Sequence, residues 1–150
     1  MKLSTRSRYG VRMMLDLALH ADKWPVRLGV IAERQGIAAK YLEQIIIPLK
    51  RADYVRSVRG PKGGHMLAKP PEEITVGEIV ELLEGGLKLT RCAQEPEVCD
   101  RSDYCVTRFL WMEATEAIRE RLDAITFREL MNRSAAGGNC NGCATENTES

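Results

Sequence analysis

Apolar residues near the start of the chain fall at Val11, Met14, Leu15, Ala18 and Leu19, the spacing of one helical face. Ser4 ahead of them offers a side-chain oxygen as an N-cap, and a first helix is expected from there until Trp24 and Pro25 end it. A short helical run from Val30 to Arg34 closes on Gly36, a residue suited to the left-handed cap position. Ile37 and Ala38 open another helix with Tyr41, Leu42, Ile45, Ile46 and Leu49 at core spacing. Two short helices joined by a tight turn containing Gly form the helix-turn-helix pattern. Pro48 removes the bond to the Gln44 carbonyl, so a kink or early end is expected there.

The period then changes. Tyr54 to Arg59 alternates and carries two Val and a Tyr, which reads as a strand. Gly60, Pro61, Lys62, Gly63 and Gly64 form a turn, and His65 to Ala68 return as a second strand. A basic hairpin directly after a helix-turn-helix is a wing, its glycines letting the backbone approach a sugar-phosphate strand while Arg59 and Lys62 supply charge. Pro70 and Pro71 mark its exit. Thr75 with Glu78 forms a capping box for a helix bearing Ile79, Val80, Leu82 and Leu83, which Gly85 and Gly86 stop.

Beyond Cys105 the chain is helical to about Ala124. Trp111, Thr115, Ile118, Leu122 and Ile125 follow steps of four and three, a heptad seam that calls for a partner helix from a second subunit, the alternative being packing within the monomer with Trp111 against the reader domain. Thr126 and Glu129 form a second capping box, so a last helix restarts at Phe127. The expected fold is mainly α with a small β-hairpin wing: a winged helix-turn-helix over 1–69, a linker helix over 70–91, a cysteine loop over 92–105, a long dimerisation helix and short terminal helix over 106–133, and a disordered tail over 134–150.

Charge sharpens this division. Residues 1–69 hold fourteen Lys and Arg against five Asp and Glu, a net of +9, whereas residues 70–150 hold eight against sixteen, a net of −8. Such asymmetry sends the first half to a polyanion and keeps the second away from it. Lys2, Arg6, Arg8 and Arg12 read equally well as phosphate contacts or as a solvated basic face. The apolar run from Val11 to Ala21 is interrupted by Arg12, Asp16 and His20, so it is no export signal and no membrane segment, and a cytoplasmic chain is expected.

In a reducing compartment five cysteines, an odd number, argue for metal or redox chemistry over a disulfide framework. Cys92, Cys99 and Cys105 lie in one polar loop whose only apolar residues of size are Val98 and Tyr104, a stretch expected to need an inorganic core for order. Three widely spaced thiolates suit an iron–sulfur cluster better than a zinc knuckle, whose cysteines come in close pairs; a zinc site and metal-free thiol switching stay open. Cys105 also stands at the mouth of the long helix, where the helix N-terminus favours thiolate. Cys140 and Cys143 form a C-x-x-C pair in the tail with no fold around them. No βαβ pattern, phosphate loop or Cys–His arrangement points to an enzyme.

The opening LSTRSRYGVRMMLDLALH, the reader helix YLEQI, the wing SVRGPKGGHMLA, the linker ITVGEIVELLE and the closing ITFREL together resemble the IscR-type bacterial repressors, the winged-helix family of iron–sulfur cluster, nitric-oxide and iron-responsive regulators. The resemblance implies a symmetric dimer with crossed long helices on double-stranded operator DNA. It implies base discrimination at Glu43, with Gln44 on the same edge, and minor-groove entry by Arg59 flanked by Gly60 and Lys62; Lys40 and Tyr41 are assigned to phosphate. Glu can accept from cytosine N4, and Arg suits a narrow, strongly negative minor groove. Asp53 stands where relatives often have Gly.

The consequential departure is Arg108, at the position where the resemblance implies a ligating His; Arg cannot bind iron. Candidates for the fourth ligand are Asp100, Asp103, Cys140, Cys143 or a small molecule, and the loss of His favours a 4Fe–4S cluster over 2Fe–2S. The expected function is a repressor whose operator affinity follows a cluster on Cys92, Cys99 and Cys105, the alternative being a cluster-free winged-helix regulator controlled by thiol oxidation or a protein partner.

Overall fold

The computed structural model describes residues 2–21 and 23–137. Seven helices and one hairpin follow in order: α1 Thr5–His20, α2 Leu28–Gln35, α3 Ala39–Arg51, β1 Val55–Val58, β2 Gly64–Leu67, α4 Val76–Glu84, the single turn α5 Arg91–Gln94, α6 Val106–Asp123 and α7 Phe127–Ala135. The mainly α winged architecture is the expected one.

Helix α1 is capped as read: the Ser4 hydroxyl accepts from the Ser7 N–H at 3.2 Å. Its buried side, however, is Met13, Met14, Leu17 and Ala18, while Leu19 is exposed. The stripe differs because α1 is central, packed on by α3, α4, α7 and β2, so its buried face is set by several neighbours and not by one. The tightest is α4. A Cβ on Gly10 would stand 2.1 Å from Leu83 Cδ1, so a side chain there would have to displace the Leu83 methyl. At the α4 terminus, Glu84 Oε1 accepts from the Ser4 N–H at 2.8 Å and from the Ser4 and Ser7 hydroxyls at 2.7 and 2.5 Å.

The α1–α2 contact rests on a buried carboxylate that periodicity did not reveal. Asp16, 1% exposed, accepts from Arg34 Nε at 3.1 Å, Arg34 Nη2 at 2.5 Å and Gln35 Nε2 at 2.9 Å. Arg12 completes the clamp, donating from Nε to Gln35 Oε1 at 3.1 Å and from Nη2 to the Gln35 carbonyl at 2.5 Å. Arg12 is therefore engaged by the fold.

Helix α2 begins two residues earlier than expected, at Leu28, and ends on Gly36 in the left-handed conformation (φ 63°, ψ 36°). Helix α3 does not end early at Pro48 but runs to Arg51. Leu49 beyond the proline is fully buried, and Leu49, Pro48 and Lys50 carbonyls are capped by the N–H groups of Tyr54, Ala52 and Asp53. Packing there outweighs the one lost donor. Asp53 adopts φ 58°, the position at which glycine is otherwise favoured.

The wing strands pair antiparallel, Val55 with Leu67 through Val58 with Gly64. Val26 adds an outer bridge, its N–H donating to the His65 carbonyl at 2.9 Å and its carbonyl accepting from the His65 N–H at 2.8 Å. The Thr75–Glu78 capping box is complete in both directions. At the second one, Thr126 accepts from the Glu129 N–H.

The seam on α6 is divided. Thr115 is buried within the chain, and Leu122 and Ile125 pack against its own core. The reason is a lock between the starts of α4 and α7: Val76 N–H donates to the Ile125 carbonyl at 2.8 Å, and Phe127 N–H to the Ile74 carbonyl at 3.0 Å. Phe127 is fully buried. Across this lock Arg119 pairs with Glu81 at 2.9 Å. The large apolar residues left outward on α6 are Trp111 of the seam together with Val106, Phe109, Leu110 and Met112. The last helix includes residues 134 and 135; the tail expectation for 138–150, with Cys140 and Cys143, lies outside the described residues.

At Gly77 an added Cβ would lie 1.8 Å from Asp123 Oδ1 and 2.9 Å from the Asp123 backbone nitrogen. Gly77→Ala must therefore push α6 away from α4, and a loss of about 1–3 kcal/mol is expected, read as a lower Tm in thermal melts.

Candidate DNA-reading surface and cysteine loop

Helix α3 is strongly two-sided. Leu42, Ile45, Ile46 and Leu49 are buried, which leaves Lys40, Glu43, Gln44 and Ile47 exposed at steps of three and four on the opposite face. A carboxylate, an amide and an ammonium on one ridge are base-edge and phosphate donors and acceptors of the right kind. Ile47 was missed by the sequence reading. An exposed Ile in line with Glu43 and Gln44 suits a thymine methyl, and its place outside the core spacing was the available signal. Tyr41 is half-buried, its ring edge-on to Tyr9 with centroids 5.8 Å apart.

The turn of the wing carries Arg59, Gly60 and Lys62, all exposed. Gly60 at φ 115° and Gly64 at φ 158° shape it, and the Arg27 guanidinium ties it down by donating to the Pro61 carbonyl. His65 on β2 is half-buried with its Nδ1 3.2 Å from the Ser57 hydroxyl. Burial, helped by the Lys50 charge, lowers its pKa, so it adds no proton to the wing near neutrality.

The loop from Cys92 to Cys105 carries a set of hydrogen bonds within the protein that its composition did not suggest. Ser102 is buried, and its hydroxyl lies 2.7 Å from the Pro96 carbonyl and 2.9 Å from the Cys99 carbonyl. Arg108, from the first turn of α6, donates Nε to the Cys92 carbonyl at 2.7 Å and Nη1 to the Ser102 carbonyl at 3.4 Å. Gln94 Nε2 donates to the Leu87 carbonyl at 2.7 Å, and Lys88 pairs with Glu95 at 3.2 Å. Polar bonds replace the missing apolar core. Arg108 thus has a role of its own, as the brace that joins the beginning of the loop to its end.

The thiols of Cys92, Cys99 and Cys105 are free and half-exposed. Cys92 Sγ lies 3.5 Å from Thr90 Oγ1, and Cys105 Sγ 3.2 Å from Thr107 Oγ1. Cys105 caps α6, and the Thr107 hydroxyl, then the Arg108 N–H, lower its pKa toward thiolate. Among the described residues no three Cys, His, Asp or Glu side chains converge as a metal site. Three thiolates fit an iron–sulfur cluster in kind, and gathering them requires the loop to move. Asp100 and Asp103, the acidic candidates for a fourth ligand, are exposed on the same loop.

Removing the guanidinium leaves the Cys92 and Ser102 carbonyls without that donor. Arg108→Ala is expected to speed amide hydrogen exchange over residues 92–105 at least tenfold, which corresponds to about 1.4 kcal/mol of local stability, with α1 and α3 unchanged.

Comparison with known proteins agrees with this geometry. Residues 3–133 match the Rrf2 family, described as iron-dependent transcriptional regulators. The HTH-type transcriptional regulator IscR of Serratia proteamaculans is 44% identical over 132 residues, 88% of this chain and 80% of that protein. Among solved structures, T. potens IscR superposes with a TM-score of 0.77 at 39% identity, covering 95% of this chain and 94% of that one. CymR, the global cysteine regulator of B. subtilis, gives 0.74 at 33% identity over 88% and 97%. No helix among the described residues is long and apolar enough to cross a membrane. The chain belongs to the Rrf2 family of winged-helix transcriptional regulators, which are DNA-binding proteins and not enzymes.

Proposed function

We propose that this regulator is a cytoplasmic homodimeric repressor whose operator affinity is set by an iron–sulfur cluster on Cys92, Cys99 and Cys105. The observation that carries the reading is the position of these three thiols. Their loop is inserted between the end of α4, which holds the α1 N-terminus through Glu84, and the start of α6, so a change in its shape loads both helices at once. In the reader, Glu43 accepts from cytosine N4 with Gln44 beside it, Lys40 and Tyr41 hold phosphates, and Arg59 enters the minor groove with Gly60 and Lys62 against the backbone.

The dimer rests on α6. Val106 is 80% and Leu110 52% exposed, and with Phe109 and Met112 they form an apolar stripe whose natural occupant is the same stripe of a second copy. Two readers on one axis imply a near-palindromic operator with half-sites about one helical turn, or a multiple, apart.

The cluster, when bound, supplies a group that oxidants or nitric oxide attack. Its fourth site falls to Asp100, Asp103 or a small molecule, since Arg108 cannot ligate; a 4Fe–4S form is favoured. Support comes from the donor set and from the iron-dependent description of the family. Metal-free thiol oxidation is the second reading. It is supported by the separation of the thiols, two of them on their own threonine hydroxyls, and by the likeness to a cysteine regulator.

Protein purified without oxygen and reconstituted with iron and sulfide is expected to show visible iron–sulfur absorbance, lost in Cys92→Ala, with loaded and metal-free wild type differing in operator affinity. No absorbance in the wild type sinks the cluster, and an affinity that then responds to a thiol oxidant selects the second reading. Equal affinity in every state leaves the loop without a control role. Separately, Glu43→Ala is expected to relax discrimination at one base pair by about 1–3 kcal/mol, measured by competition between operators altered at single positions.

A further inference from the structure

The link between α1 and α2 carries a tryptophan that nothing above uses. Trp24 is 71% exposed, although an indole is among the largest apolar groups a chain can bury. Its setting is rigid: two residues on, Val26 is bonded in both directions to His65, and next to that Arg27 donates to the Pro61 carbonyl, so the link belongs to the wing as an outer strand. A Cβ on Gly64 would stand 2.6 Å from the Val26 backbone, a measure of how closely the two segments are pressed.

Trp24 is the ridge between two surface grooves. One is lined by Lys23, Pro25, Arg59, Gly60 and Lys62, the other by His20, Arg27, Val30, Arg34 and again Lys62. Among the described residues neither lining contains a carboxylate. An apolar plane among cations, on a chain half with a net charge of +9, complements a polyanion whose own surface alternates charged and apolar groups. The sugar-phosphate backbone of duplex DNA has that alternation, with deoxyribose for the indole and phosphates for the cations.

From this we infer that Trp24 is a DNA-contacting residue that packs on deoxyribose beside the wing tip, where Arg59 enters the minor groove and Lys62 holds a flanking phosphate. The inference rests on the DNA-binding reading and extends its footprint beyond the reader helix and the wing turn. A contact with sugar carries no base information, so it strengthens binding to any duplex equally.

The test compares wild type with Trp24→Ala, Trp24→Tyr and Lys62→Ala on two probes, an operator obtained by in vitro selection and sheared DNA of random sequence, over a range of salt. Trp24→Ala is expected to weaken both by the same factor, about fivefold or more, with the salt slope unchanged because an indole displaces no counterion. Trp24→Tyr keeps most of the affinity, whereas Lys62→Ala lowers the slope by about one. The indole emission of the wild type less that of Trp24→Phe isolates Trp24, and it should shift on adding either DNA. Wild-type affinity in Trp24→Ala, an unshifted emission, or a loss confined to the selected operator overturns the inference and leaves DNA binding standing; the first of these assigns the ridge to a protein partner. A wild type that binds neither probe overturns both.

Discussion

Helix α4 is where the two halves of this molecule are tied, and its contacts are too close to slide. At one end Glu84 takes three hydrogen bonds from the first turn of α1, and Gly10 brings Leu83 within reach of the α1 backbone. Partial burial pushes the Glu84 pKa up, but the Ser7 and Ser4 hydroxyls and the Ser4 N–H outweigh it and hold the carboxyl below its usual range. At the other end Gly77 accepts the Asp123 side chain where no Cβ would fit. Close packing of this kind transmits displacement instead of absorbing it. The reader and the long helix therefore share one rigid connection.

Much of this was legible in the residues, for identifiable reasons. Ser4, Thr75 with Glu78, Gly36 and Gly85 act within one turn of chain, and local rules describe them. The wing was bounded by its glycines, to within one residue. What escaped depends on partners distant in sequence. Asp16 looked like an interruption in an apolar run; its meaning comes from Arg34 and Gln35, eighteen and nineteen residues away. The period of the heptad on α6 was legible, but the lock from Ile74 to Phe127, which turns Thr115, Leu122 and Ile125 inward and leaves Trp111 exposed, was not. Pro48 broke a propensity rule that the burial of Leu49 overrode.

The site divides in the same way. Exposure of Lys40, Glu43 and Gln44 followed from the core spacing of α3, because they lie on the face opposite Leu42, Ile45, Ile46 and Leu49. Ile47 is the exception, an apolar residue on that outward face. The cysteines were visible as a pattern, but their order was not, because it comes from a buried serine hydroxyl and a guanidinium bonding to backbone carbonyls. Composition suggested that a polar loop could not fold alone. Backbone acceptors with good donors supply contacts that composition does not show.

The Arg108 guanidinium stays charged at any physiological pH and is indifferent to electron transfer, so neither titration nor oxidation removes the donor of its bonds to the Cys92 and Ser102 carbonyls. The loop has a defined resting shape written in nitrogen and oxygen.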